Sequence, residues 1–214
     1  MVTLAGKGQS SAHRLPIGIT APLILSVFGL LLWLERRRPL RRMVESKSAR
    51  AGRNVAIAML TTVAFQITER PVISRLSAAV DRREWGVLKI TRLPRGLEIA
   101  LAIVLLDYTL YVWHVLLHRV PWLWHMQVHH VDLDLDASTA VRFHAAEMVV
   151  SVGWRVGQVV AIGVSPLALS MWQTLLLLSV MFHHSNVRLP IRTEQWLNWF
   201  IVTPHAWHSP FARA

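Results

Sequence analysis

The chain divides into long apolar blocks separated by short basic or polar ones. Residues 17–34 carry no charge and lead directly into Glu35-Arg36-Arg37-Arg38, the length of a membrane span followed by a stop-transfer run. A cleaved signal peptide fits less well, because its apolar core is shorter and ends at a small-residue cleavage site. Residues 55–68 form a second apolar stretch, closed by Glu69-Arg70-Pro71; at about 14 residues it suits a short span, a re-entrant helix or an interfacial one. Residues 97–117 form a third, interrupted by Asp107 and His114. Residues 148–182 are apolar again but break near Gly163-Val164-Ser165-Pro166, where proline removes a backbone donor and restricts its predecessor. Two helices joined there make a hairpin that returns to its starting side. The expectation is an all-α, integral-membrane helical bundle of about four spans, one of them short.

Composition agrees with a membrane setting and adds charge to it. The 214 residues are 53% hydrophobic and 16% charged, too apolar for an ordinary soluble domain and incompatible with disorder. The formal charge is nevertheless +11, and fifteen of the 23 Lys and Arg lie between Arg36 and Arg95. Anionic head groups attract such juxtamembrane residues. No helix-turn-helix, zinc-finger or RNA-binding motif accompanies the basic run, so no nucleic-acid partner is expected. Two Lys or Arg precede the first span and eight follow it up to Arg53, which puts the N-terminus outside and the basic loop in the cytoplasm. Residues 70–95 carry seven more, an equally strong cytoplasmic signal. If residues 55–68 span, that second block is on the wrong side; if they do not, the third span delivers its C-terminal end to the outer face. This second block reads as surface-lying helix and loop.

The chain has no Cys, which removes disulfides, iron–sulfur clusters and thiol nucleophiles, and leaves any metal to nitrogen and oxygen ligands. It has eleven His. On a helix His114 and His118 are i, i+4 and share a face, with Asp107 and Tyr111 extending the stripe. His125 and His129 repeat the spacing with His130 adjacent, just past the turn that Pro121 suggests. His144 follows, then His183 and His184 at the end of the hairpin, then His205 and His208. The hairpin would carry His183 and His184 back towards His129, His130 and His144. Neutral imidazole suits Fe, Zn, Cu and Ni, and more His than one tetrahedral ion needs points to two metals. His13, in a polar tail, is no part of the set. Asp132, Asp134 and Asp136 alternate with Leu and read as ligands or, better, as a solvated interfacial turn; Arg142 could pair with them or with a lipid head group.

These strings resemble the fatty acid hydroxylase and sterol desaturase superfamily of integral-membrane di-iron enzymes, whose boxes run HxxxH, Hxx(x)HH and a late HxxHH. HVLLH, HMQVHH, the flanking LLHRVPWLW and VHHVDLDLDAST, RFH, and HSNVRLP with His184 and Asn186 resemble the bacterial branch over residues 54–208. The resemblance divides the chain into a tail, first span and basic loop (1–53) and a hydroxylase-like membrane domain (54–214). It implies two Fe ions held by His114, His118, His125, His129, His130, His184 and His208, with His144, His183, His205, Asp107 and Asn186 as further ligands or their partners. Asp107 would accept the second N–H of a ligand ring. A cytoplasm-facing site in the bacterial inner membrane follows, which requires residues 55–68 to span.

Two departures stand out. Gln127 occupies the place of an aligned second-box His, so that His125 would substitute at looser spacing. After Val202-Thr203-Pro204 the chain reads HAWHSPFARA in place of HxxHH. A one-base shift through the codons of residues 206–211 can spell His-Gly-Ile-His-His-Ser, so the expectation is a truncated or frameshifted last box, which resequencing the gene would check. The implied activity is O₂-dependent hydroxylation or desaturation of a lipid C–H bond, with electrons from an external transfer protein. Two rival readings remain: a haem-binding membrane protein, which leaves the HH doublets unexplained, and a non-catalytic remnant with an incomplete centre.

Overall fold

A computed structural model describes residues 14–44, 47–125, 134, 136–139 and 145–208. Ten helices appear among them: α1 (Ile17–Arg37), α2 (Lys47–Ile67), α3 (Glu69–Arg83), α4 (Val87–Ile90), α5 (Arg95–Arg119), α6 (Pro121–Trp124), α7 (Ala145–Ile162), α8 (Pro166–His184), α9 (Ile191–Leu197) and α10 (Pro204–His208). The only β pairing among the described residues is an isolated antiparallel bridge between Pro39 and Val187.

The expected hairpin is α7 and α8. Gly163, at φ +87°, ends α7, and the Val164 N–H reaches back to the Val159 carbonyl at 3.1 Å. Ser165 then caps α8, its hydroxyl accepting from the Ala168 N–H at 3.3 Å, with Pro166 in the first turn where no donor is missed. The loop after α3 lies against this turn, and the Ser77 hydroxyl donates to the Val164 carbonyl at 3.0 Å. Gly86, at φ +98°, touches it backbone to backbone. A Cβ there would stand 2.3 Å from the Gly163 nitrogen and 2.7 Å from the Val160 carbonyl oxygen. Gly86→Ala is therefore expected to cost about 2 kcal/mol or more, read as a lower thermal unfolding midpoint of the purified chain.

Ile73 and Val80 of α3, Ala102 and Leu106 of α5, Val159 of α7, and Ala168 and Trp172 of α8 form the main core. A second cluster joins Leu31 of α1 to Met181 of α8, and a third stacks Trp113 on Trp154 with ring centroids 5.3 Å apart. Helix α1 runs parallel to α8: the Leu15 N–H donates to the Ser170 hydroxyl at one end, and the Arg188 N–H donates to the Arg38 carbonyl at the other.

Three helices, α1, α5 and α8, are long and apolar enough to cross a membrane, as expected of an integral membrane protein. The sequence suggested about four. Helix α2 begins eight residues before the apolar stretch, at Lys47, so its first turns are polar and only its second half is apolar. Helix α7 carries Glu147, Ser151, Arg155 and Gln158, all buried against neighbouring helices. The second basic block folds as helix and loop, as expected, but α3 packs into the main core instead of lying on the surface. The block's Lys89 ammonium reaches Asp81 at 2.5 Å and Glu98 at 2.6 Å. Burial alone would lower the Lys89 pKa, but those two hydrogen bonds outweigh it and hold the group above the ordinary lysine value.

Candidate metal centre

Both arms of the site sit at the C-terminal ends of parallel helices. Leu106 of α5 and Trp172 of α8 share one core, and twelve residues further along each helix, about 18 Å at the α-helical rise, stand His118 and His184. The His-bearing ends of α5 and α8 therefore lie at one level, where α1 also ends.

On α5 the i, i+4 spacing brings His114 and His118 together. Their Nε2 atoms are 3.0 Å apart and their ring centroids 4.6 Å apart, at 64°. Such a separation suits an N–H···N hydrogen bond, and equally two ligands at right angles about 2.1 Å from one ion, whose nitrogens lie about 3.0 Å apart. Helix α5 stops because Val120 is extended and Pro121 starts α6, which turns the chain back and sets Trp124 5.0 Å from the His118 ring. His125 is exposed, its Nδ1 2.8 Å from the Pro121 carbonyl oxygen.

On α8, His183 and His184 have centroids 4.6 Å apart, tilted by 37°. His184 is 4% exposed, with Nδ1 2.9 Å from the Val180 carbonyl. A carbonyl only accepts, so in neutral His125 and His184 the hydrogen lies on Nδ1 and the lone pair on Nε2. Metal-bound histidines use this arrangement, with the second ring N–H held by a backbone carbonyl. The donor set thus suits a transition-metal ion. Among the described residues no three His, Asp or Glu side chains are grouped as one ion would require.

The remaining predicted residues fall in several places. His129, His130, His144, Arg142 and Asp132 lie outside the described residues, as do those after His208. Helix α10 packs on α8 and carries His205 and His208. His205 is exposed; its backbone N–H donates to Glu194 at 3.0 Å, which caps α10. The His208 side chain is outside the described part.

Two predicted residues have defined surroundings, and one expectation needs correction. Asp107 is exposed and two turns before His114, about 10 Å along the axis, too far to orient that ring. Asn186 is buried and uses both ends of its amide on Arg41: the oxygen accepts from its N–H, and the nitrogen donates to its carbonyl, each at 2.9 Å. Asp134 and Asp136 are 6% exposed and form no solvated turn. Asp134 accepts from the Val44 N–H at 2.8 Å, and Asp136 accepts from the Ser138 N–H at 2.9 Å.

One important residue escaped the sequence reading. Glu35 accepts from the N–H groups of Ala137 at 2.8 Å and Asn186 at 2.9 Å, tying α1 to both segments flanking the site. Its only signal was a lone carboxylate at a helix C-terminus, where cations are favoured.

The family model for fatty acid hydroxylases matches residues 99–210, more than half the chain and all of its candidate site helices from α5 onward. The chain belongs to the fatty acid hydroxylase family. No curated protein and no solved structure matches it. Membership in this family gives the chain a function of the lipid hydroxylase or desaturase type, and places the paired imidazoles of α5 and α8 inside the family domain.

Proposed function

We propose that this fatty acid hydroxylase family member is an iron-dependent membrane oxidoreductase that uses O₂ to hydroxylate or desaturate a C–H bond of a lipid. The reading is carried by the His114–His118 pair, whose two Nε2 atoms face each other at 3.0 Å at the end of an apolar helix within the family domain. Two iron ions would be held by His114, His118, His125, His129, His130, His184 and His208, with His144, His183 and His205 as further candidates. When bound, iron supplies the oxygen and C–H chemistry, and the electrons come from an external transfer protein.

The chain itself does three things. Pro121 and Val180 carbonyls set the ring tautomers of His125 and His184. Trp113, Leu117 and Leu123 form an apolar cluster beneath His114 and His118 that limits water. Glu35 and Asn186 fasten α1 to the segment after His184. The basic block after α1 lies at the same end as the histidines, which favours a cytoplasm-facing site with the N-terminus outside.

Metal analysis of the purified full chain tests the reading. About two irons per chain are expected, from the number of imidazoles and the coordination each ion needs. None, or one with a Soret band, would overturn it.

A further inference from the structure

The end of α1 meets the segment after α8 in a cleft of about 520 Å³ lined by Arg37, Arg38, Pro39, Arg188, Leu189 and Pro190. Its walls are pinned backbone to backbone: the Arg188 N–H donates to the Arg38 carbonyl at 2.8 Å, and the Leu40 N–H donates to the Asn186 carbonyl at 2.9 Å. The two sides are 150 residues apart in sequence, so the fold itself brings three arginines to one opening. No carboxylate lines it, and Arg37, Arg38 and Arg188 make no ion pair among the described residues. Arg37 lies 5.7 Å from the ring centre of Trp33. Like charges gathered on a fixed backbone, without an acid, suit an oxyanion that accepts several N–H bonds at once.

We propose that this cleft binds the phosphate of an anionic lipid headgroup. The lipid source is favoured over free phosphate by where the cleft opens. Leu30 and Trp33, on the last turns of the apolar helix α1, are each 53% exposed, so acyl chains have an apolar surface immediately beside the arginines. Across the same end, Trp196, Trp199 and Phe200 are 64%, 85% and 73% exposed, an aromatic patch of the kind that sits at headgroup level. The site stands apart from the metal reading and does not depend on it.

The test uses the full chain in zwitterionic detergent, with its unfolding midpoint followed by tryptophan fluorescence. Phosphatidylglycerol is expected to raise the midpoint by several degrees at physiological salt, whereas phosphatidylcholine and inorganic phosphate leave it unchanged. The double change Arg38→Gln with Arg188→Gln should remove at least half of that shift. Arg36→Gln, which takes away one charge at the same helix end but outside the cleft, should retain it. An equal loss in Arg36→Gln would show diffuse surface attraction and overturn the proposal, and an equal rise with inorganic phosphate would overturn the lipid source. Should the double variant not fold, native mass spectrometry of the wild-type chain decides. A single phosphatidylglycerol retained after washing supports the site; none retained, or phosphatidylcholine retained equally, overturns it.

Discussion

Replacing His118 by Ala is expected to strip the chain of iron and to lower lipid oxidation by more than about 100-fold, beyond the ~10–100-fold that losing a mere partner of a metal ligand costs. The expectation rests on geometry. His118 Nε2 stands 3.0 Å from His114 Nε2, so one substitution removes half of the facing pair. If the pair were only packing, the variant would lose a half-buried ring next to Trp124 and little more, within the usual range for a point change of about 1 kcal/mol. Iron content and thermal midpoint, measured together, separate the two. Metal lost with the midpoint nearly kept supports ligation, and metal retained sinks it. Asp107→Asn is the matched control: two turns away and exposed, it should leave the iron count unchanged.

The second large effect is expected at Arg155, far from the histidines. Its side chain is 9% exposed, its Nε is 3.4 Å from Glu69 Oε1 on α3, and its Nη1 donates to Gln158 at 2.8 Å. The guanidinium lies 4.5 Å from the centre of the Trp172 ring on α8. Gln158 in turn donates to the Thr109 hydroxyl at 2.5 Å and the Leu106 carbonyl at 3.3 Å on α5. One cation thus ties α3, α5, α7 and α8. Arg155→Met leaves the Glu69 carboxylate buried without its counter-charge, a loss of about 3–5 kcal/mol when such a pair is broken from one side. It should appear as a large drop in thermal midpoint or in the folded fraction on size exclusion. The double change Glu69→Leu with Arg155→Met should restore most of it, because replacing both charges by apolar groups removes the desolvation cost. A single variant as stable as the wild type would remove this network from the account of stability.

Much of the scaffold was legible because its signals are local. An i, i+4 pair of histidines shares a helix face wherever the helix sits, and Gly163 through Pro166 stops one helix and starts the next by backbone geometry alone. The apolar lengths of α1, α5 and α8 are likewise properties of each segment by itself. The polar positions of α7 were not legible, for the opposite reason. A polar residue in an apolar run has an ambiguous meaning until its neighbours are known, and Arg155 and Gln158 are buried on α7 because α3, α5 and α8 supply their partners.

The site divides in the same way. His114 and His118 were identifiable as a pair, and His184 as the end of a returning helix; the ring tautomers set by the Pro121 and Val180 carbonyls also come from their own turns. Asp107 shared the helical stripe but not the level of the imidazoles, since a stripe specifies direction and says nothing of depth. Glu35 and Asn186 depend on partners up to 151 residues away, and the arginine cleft joins two segments about as distant. By itself the sequence determined the helices, their apolar faces and the pairing of adjacent imidazoles, because these follow from helical periodicity. Only the tertiary structure decided which polar groups meet across helices, because burial and hydrogen bonding between distant segments are properties of the packed bundle.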